Sequence, residues 1–265
     1  MSHSLSSDSL SIVVARLRVA GCVFAEDEAR LLVAAARSAA ELDSMVERRA
    51  AGLPLERLLG WAEFRGLRIA IDPEVFVPRR RTEFLVERAI ALAGSRPVVV
   101  LDLCSGSGAV GAALAVELGD VELYAADIDP AAVRCTRRNL ATVAGAEVYE
   151  GDLYEPLPAT LRGRVDILTA NVPYVPSEAI ELMPPEAREF EPKIALDGGP
   201  DGFAVLRRVA AGAPRWLRPG GHLLVETSER QAPRAADVFA GNGLVPQVVR
   251  SEELYSTVVI GQRAM

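Results

Sequence analysis

The sequence predicts an α/β protein: a mostly parallel, Rossmann-like sheet that ends in an antiparallel hairpin and is preceded by a small helical domain. From residue 82 onward, apolar strand-length runs alternate with helix-length segments, the pattern of a parallel sheet covered on both faces. The last two extended segments are joined by a short polar turn, as in a hairpin on a sheet edge. Residues 9–60, in contrast, show helical spacing without β-branched alternation.

Taken in order, Ile12, Val13 and Leu17, then Leu31, Leu32, Ala35 and Ala36, then Leu42, Met45 and Val46 repeat at helical spacing. Gly21 and Gly52-Leu-Pro54 punctuate these helices. The Ser-rich start is expected to fray. The segment 61–77 changes character, with Phe64, an Arg65-Gly66 turn and alternation over Leu67-Arg-Ile-Ala-Ile71, and reads as a β-hairpin linker. The expected division is therefore a helical domain over 1–60, serving acceptor recognition or as a cap over the sheet, a linker over 61–81 and a catalytic domain over 82–265. In the last, helices are predicted over 82–93, 109–118, 130–140, 203–213 and 229–239. Strands are predicted over 98–103, 121–126, 147–149, 165–170 and 221–226, with the hairpin over 244–249 and 255–260. No internal repeat is visible.

Composition narrows the function classes. The chain has 265 residues, half of them apolar and a quarter charged, as in a folded globular protein with a sizeable core. No apolar run approaches the ~18 uncharged residues of a membrane span. The start lacks a basic stretch followed by an apolar one, so a cytoplasmic location and no membrane partner are expected. Cys22, Cys104 and Cys135 are odd in number and contain no Cys-x-x-Cys, which suggests neither a disulfide framework nor a zinc site. A net charge of −7 argues against a sequence-independent grip on nucleic acid, although Arg79-Arg80-Arg81 forms a local basic strip. Lys193 is the only lysine, and the arginine bias reads first as genome composition.

The strand ending at Asp102 runs into Leu103-Cys-Ser-Gly-Ser-Gly108, and a helix follows directly. The first strand-to-helix turn of an open α/β sheet is where such folds bind ligands. Gly106 and Gly108 allow a tight turn and close approach of backbone to ligand. Asp127 closes the next strand, where a carboxylate can accept two hydrogen bonds from adjacent ribose hydroxyls. The motif alone leaves two cofactors open, because Gly106-Ser-Gly108-Ala-Val-Gly111 also satisfies the G-x-G-x-x-G of nicotinamide dinucleotides, with an acidic residue roughly 20 positions on. Two features favour S-adenosylmethionine (SAM). Asp102 stands where it can face the cationic end of the cofactor, and Asp152, in Glu150-Gly-Asp152 after the third strand, can accept from an adenine amino group. The candidate cofactor set is Asp102, Cys104, Ser105, Gly106, Gly108, Asp127, Ile128, Asp152 and Leu153, with Asn171 at its border.

After the strand over 165–170 comes Asn171-Val-Pro-Tyr174. It resembles the (Asn/Asp/Ser)-Pro-Pro-Tyr motif of methyltransferases that modify planar nitrogens, in protein glutamine amides and in adenine or cytosine amino groups. Further segments are similar to the HemK/PrmC family: Asp102-Leu-Cys-Ser-Gly-Ser-Gly108, Gly151-Asp-Leu-Tyr-Glu-Pro156, Phe190-Glu-Pro-Lys-Ile-Ala-Leu-Asp-Gly-Gly199 with Asp201-Gly202, and Trp216-Leu-Arg-Pro-Gly-Gly221. The linker from Gly60-Trp-Ala-Glu-Phe-Arg-Gly66 through Val77-Pro-Arg79, with Thr82-Glu83, is similar too. The resemblance covers nearly the whole chain. It implies a class I SAM-dependent methyltransferase that methylates N5 of a glutamine in the Gly-Gly-Gln motif of translation release factors, which would then be the protein partner. Asn171, Val172, Pro173 and Tyr174 would be the catalytic set. The Asn171 oxygen and a following carbonyl would accept both N–H groups of the target amide, and the Tyr174 ring would pack on its flat face.

The chain departs from the family at Val172, where the first proline is expected. It departs also at Arg80, where proline or a neighbouring variant is common, and at Cys104-Ser105, which replace Gly-Thr. The alternatives are a nucleic-acid amino-methyltransferase acting on a flipped base, a methyltransferase for another protein amide or a small metabolite, a nicotinamide oxidoreductase, and a non-catalytic SAM-binding module. The acidic balance and the lack of a large insertion count against the first. The oxidoreductase lacks a proton donor, since the only histidines are His3 in the terminus and His222 on a strand.

Overall fold

The structure, a computed structural model, describes residues 7–94 and 97–265. Of the start expected to fray, residues 1–6, with His3, lie outside the described residues, and helix begins at Ser7. Helices α1 (Ser7–Val19), α2 (Ala25–Ala35), α3 (Ala39–Ala50) and α4 (Leu55–Leu59) pack together around Leu17, Ala29, Leu32 and Val46, all fully buried. The Ser38 side chain caps α3 by accepting from the Glu41 N–H, satisfying one of the otherwise unpaired amides of its first turn. Strands β1 (Trp61–Phe64) and β2 (Leu67–Ala70) pair antiparallel around Arg65-Gly66.

A 3-10 turn, Arg80–Thr82, leads into α5 (Glu83–Leu92). Next come β3 (Val98–Leu103), α6 (Ala109–Leu118), β4 (Val121–Asp127), α7 (Pro130–Asn139), β5 (Glu147–Glu150) and β6 (Val165–Ala170). Beyond them lie α8 (Pro185–Phe190), α9 (Lys193–Leu196), α10 (Ala204–Trp216), β7 (Leu217–Thr227), α11 (Ala232–Gly241), β8 (Leu244–Ser251) and β9 (Ser256–Arg263). The seven-stranded sheet has the order β5-β4-β3-β6-β7-β9-β8. Its first five strands are parallel, and β9 pairs antiparallel with both β7 and β8. All six residues of β3 are buried. Val98 and Val100 join the core on one face, and Val99, Leu101 and Leu103 the core on the other, as a strand covered on both sides requires.

From β3 the chain moves outward to β4 and β5, then returns to place β6 on the other side of β3. The strand order therefore reverses at β3, and reversal opens a crevice beyond the carboxyl ends of β3 and β6. The loop after Leu103 and the loop after Ala170 face each other across it.

Several boundaries differ from expectation. Helix α10 runs through Pro214 to Trp216, and β7 starts at Leu217. Pro219-Gly-Gly221 does not break the strand, because a register shift against β6 between Val165 and Ile167 absorbs it. Helix α11 starts at Ala232 because Ser228 and Gln231 form a side-chain-bonded turn before it. Tyr255 sits in the turn between β8 and β9 with φ 48°. Residues 177–196, unassigned from sequence, hold a 3-10 segment, Ser177–Leu182, followed by α8 and α9. Among the described residues no helix is long and apolar enough to cross a membrane, and no His, Cys, Asp or Glu cluster suits a metal.

Candidate active site

One cavity of about 1100 Å³ lies over the crevice. Asp102, Cys104, Ser105, Gly106, Asp127, Ile128, Asp152, Leu153, Asn171, Val172, Pro173 and Tyr174 all line it. Gly108 does not. It caps α6 with φ 77°, and a Cβ there would meet Thr136 at 3.0 Å, so its role is close helix packing.

The β3 loop is held by its own polar groups. Asp127 Oδ2 accepts from the Gly106 N–H at 2.8 Å and Oδ1 from the Asp129 N–H at 3.0 Å, which pins the loop to the end of β4. Each oxygen keeps a lone pair for a further donor. Thr136 Oγ1 donates to the Gly106 carbonyl at 2.9 Å and lies 3.1 Å from Ser105 Oγ. Cys104 adopts φ 54°, a left-handed conformation that a non-glycine residue reaches at roughly 1–2 kcal/mol, which explains why glycine is usual there. Burial pushes its thiol pKa up, so it is not a reactive thiolate.

Asp102 is 2% exposed. Its Oδ1 accepts from Thr169 Oγ1 at 2.8 Å, while Oδ2 is buried without a partner among the described residues. Burial raises its pKa to about 7, with the Thr169 hydroxyl and the Gly111 N–H on α6 pulling the other way. Asp102 lines the cavity, and a buried carboxylate with so few donors favours a donor or a cation beside it. Together with the exposed apolar Ile128 beside Asp127, it suits a ligand that is cationic at one end and carries a ribose and a flat ring at the other. SAM has that constitution. Asp152 Oδ2 is paired with Arg208 at 2.7 Å.

At the other end, the Asn171 side-chain amide lines the cavity and has no protein partner among the described residues. Val172 is 1% exposed and packs in the core beneath, so at the departure from proline an apolar side chain keeps the loop anchored. The loop is gripped from both sides. The Val175 N–H bonds the Leu196 carbonyl, the Gly198 N–H bonds the Val175 carbonyl, and the Ser177 N–H bonds the Gly199 carbonyl, at 2.8–3.0 Å. Gln231 Nε2 donates to the Tyr174 carbonyl at 2.8 Å. A Cβ on Gly198 would sit 2.8 Å from the Pro173 carbonyl oxygen. On Gly202, at φ 77°, it would come within 2.7 Å of Gln231 Nε2 and closer still to the Tyr174 oxygen. The glycines of Asp197-Gly-Gly199 and Asp201-Gly202 thus let one backbone lie directly on another.

The Tyr174 hydroxyl accepts from Arg81 at 2.7 Å, and Arg81 Nε donates to Glu226 Oε1 at 2.8 Å. Burial raises the Tyr174 pKa, with Glu226 adding to it and Arg81 opposing. Arg81, Thr82, Arg208 and Glu226 also line the cavity and were not assigned to it from sequence. Glu226 was within reach: it lies at the end of β7, as Asp102 and Asp127 lie near the ends of β3 and β4, and the strand-end reasoning extends to it.

The helical segment meets the cavity wall. The Glu191 side chain is fully buried and paired with Arg79 of the linker and with Arg57 of α4, the latter at 3.4 Å. Arg49 of α3 lies 3.8 Å from Glu186 on α8, and Glu56 and Glu186 both line the cavity.

Comparison with known proteins agrees with this geometry. The family described as Methyltransferase small domain matches residues 71–183. The chain is 40% identical over 201 residues to the release factor glutamine methyltransferase of Geobacter sulfurreducens, covering 75% of this chain and 69% of that one. To its namesake in Mycolicibacterium smegmatis it is 39% identical over 216 residues, covering 81% and 76%. The Bifidobacterium longum relative of the same name is 32% identical, covering 87% and 90%. Among solved structures, a methyltransferase from Pyrococcus furiosus superposes with TM-score 0.56 at 14% identity, over 84% of this chain and 98% of that one. The ribosomal protein L11 methylase of Lactobacillus delbrueckii subsp. bulgaricus gives 0.54 at 18%, over 74% and 86%. These two speak to the fold.

Proposed function

Because the chain belongs to the release factor glutamine methyltransferase family, we propose that it methylates the side-chain amide nitrogen of a glutamine in a peptide chain release factor, with Asn171 holding that amide. SAM is the methyl donor, and it supplies an electrophilic methyl group on a sulfonium. The observation that carries the reading is the unengaged Asn171 amide, in the same cavity as the buried Asp102 carboxylate.

An amide nitrogen is a poor nucleophile because its lone pair is delocalised into the carbonyl. Two acceptors, the Asn171 oxygen and a following loop carbonyl, take its two N–H groups, orient the nitrogen and stabilise the positive charge that develops there until one of the two protons is released to water. The Tyr174 ring, fixed through Arg81, covers the amide and excludes water. Asp102 faces the cationic end of the donor, Asp127 the ribose, and Asp152 the adenine. The helices α1 to α4 recognise the intact acceptor, a role supported by Arg57 on Glu191 and by Glu56 in the cavity wall. A translation-factor acceptor places the reaction in the cytoplasm.

Incubating a release factor with the protein and methyl-labelled SAM should put label on the glutamine of Gly-Gly-Gln, read by mass spectrometry of the digested factor. Label absent, or found on another residue, overturns the reading.

Asp102 gives a second expected result. With a pKa near 7 in the free protein, it must lose a proton to face a cation at mildly acid pH. SAM affinity is therefore expected to rise between pH 5 and 7, by at most about tenfold per unit, and to level off above. The same raised pKa means that the contribution of Asp102 to the stability of the folded, ligand-free protein falls as pH climbs from 3.8 toward 7, because the unfolded chain ionises first. Asp102→Asn should flatten both dependences relative to wild type. Titration calorimetry across that range checks the first, and a SAM affinity that is flat with pH in the wild type removes Asp102 from the cationic end.

A further inference from the structure

We propose that Glu226 and Thr82 form a binding subsite for a main-chain peptide unit of the acceptor, beside the Asn171 amide site. The proposal rests on reading the cavity as a site of glutamine methylation.

Among buried side-chain atoms without a partner in the described residues are Glu226 Oε2 and Thr82 Oγ1. Both residues are 2% exposed and both line the cavity. Thr227 Oγ1 and Ser256 Oγ are equally unpartnered, but neither residue lines it. Strands β6 and β7 pair in register through Ala170 and Val225, so Asn171, just past the end of β6, follows level with Glu226 of β7. Glu226 thus belongs to the acceptor end of the cavity, and Thr82 follows Arg81, whose guanidinium bonds both Glu226 and the Tyr174 hydroxyl at that same end.

The charge already present decides what they take. Glu226 Oε1 holds Arg81, which also holds the Tyr174 hydroxyl. The carboxylate is therefore charge-balanced, and what its second oxygen lacks is a neutral donor, since an added cation would leave the cluster with excess positive charge in a poorly solvated place. Thr82 Oγ1 can donate as well as accept. A neutral group that offers one N–H and one carbonyl oxygen a short distance apart is a peptide unit. A peptide unit flanking the target glutamine satisfies both atoms at once, with its N–H on Glu226 and its carbonyl on Thr82. Burying an unsatisfied carboxylate oxygen is unfavourable in the free protein, so filling the subsite adds to acceptor affinity without touching the donor.

The test uses a short glutamine peptide and its two backbone esters, in which the N–H of the glutamine or of the following residue is replaced by oxygen. Binding to the full chain is measured by calorimetry with the demethylated cofactor present. Glu226→Gln keeps a carbonyl for Arg81 but turns the free acceptor into a donor; it should weaken the peptide about 10-fold or more, and Thr82→Val comparably. One ester should bind wild type weaker by a similar factor, yet bind the Glu226→Gln variant no worse than the parent peptide does. A Glu226→Gln variant that binds peptide like wild type, or an ester penalty that persists undiminished in it, overturns the subsite. If that variant fails to bind the demethylated cofactor, and so has misfolded, the esters on wild type and on Thr82→Val decide, and two esters that bind wild type normally overturn it. A wild type that binds no glutamine peptide at all overturns the functional reading, and the subsite with it.

Discussion

Replacing Asn171 by alanine is expected to lower kcat on a glutamine acceptor by about 100- to 1,000-fold, the usual loss when one preorganised polar group is removed from a developing charge. SAM affinity should change by less than about 3-fold, because the side chain makes no hydrogen bond or ion pair with the cofactor loop among the described residues. The pairing of large kinetic loss with intact binding is diagnostic. Asn171→Asp, which retains an acceptor oxygen, should keep more turnover than alanine. Single-turnover kinetics and calorimetry on the same preparations separate the outcomes. An alanine variant that turns over normally removes the amide clamp, and one that also loses SAM shows that Asn171 shapes the loop.

Gly202→Ala is expected to damage the site from outside the cavity. The new methyl group meets the Tyr174 carbonyl oxygen and Gln231 Nε2, and alanine at φ 77° is itself strained. Together these cost about 2–4 kcal/mol, less than the stability of an ordinary domain. The fold should survive with the Asn171 to Tyr174 loop displaced. A displacement near 1 Å from productive geometry lowers the rate about 100-fold, so kcat should fall by that order. The midpoint of unfolding should drop while SAM still binds. A variant with wild-type kcat would show that the loop is not held from this side.

Some of this was legible in the chain because local pattern and tertiary environment agree. Strands β3 and β6 are apolar runs buried on both faces and closed by Asp102-Leu103 and by Asn171, and their bounds could be read directly. Strand β7 was read four residues short because Pro219-Gly-Gly221 looks like a stop. Only pairing with β6 through a register shift shows why the strand tolerates it. The segment over 177–196 carries Pro184, Pro185 and Pro192, which interrupt any period, and its conformation is set by contacts with Val175 and Asp197. The same divide runs through the site. Acidic and glycine positions next to strand ends announced themselves, whereas Arg81 and Thr82 enter the cavity only because the turn before α5 packs against the end of β7. That proximity has no local signature.

The sheet order carries a consequence for how the chain acquires its shape. Strand β9 follows β8 in synthesis yet lies inside it, with β7 on its other flank. When β8 emerges it has no partner in the existing sheet, and β7 presents an open edge of unpaired amides and carbonyls. A single late strand, Ser256–Arg263, closes both. Until it arrives the nascent protein carries an exposed hydrogen-bonding edge ending next to Glu226, the kind of surface that recruits strands from other chains. The last strand in chain order therefore acts as an intramolecular guard against aggregation during synthesis.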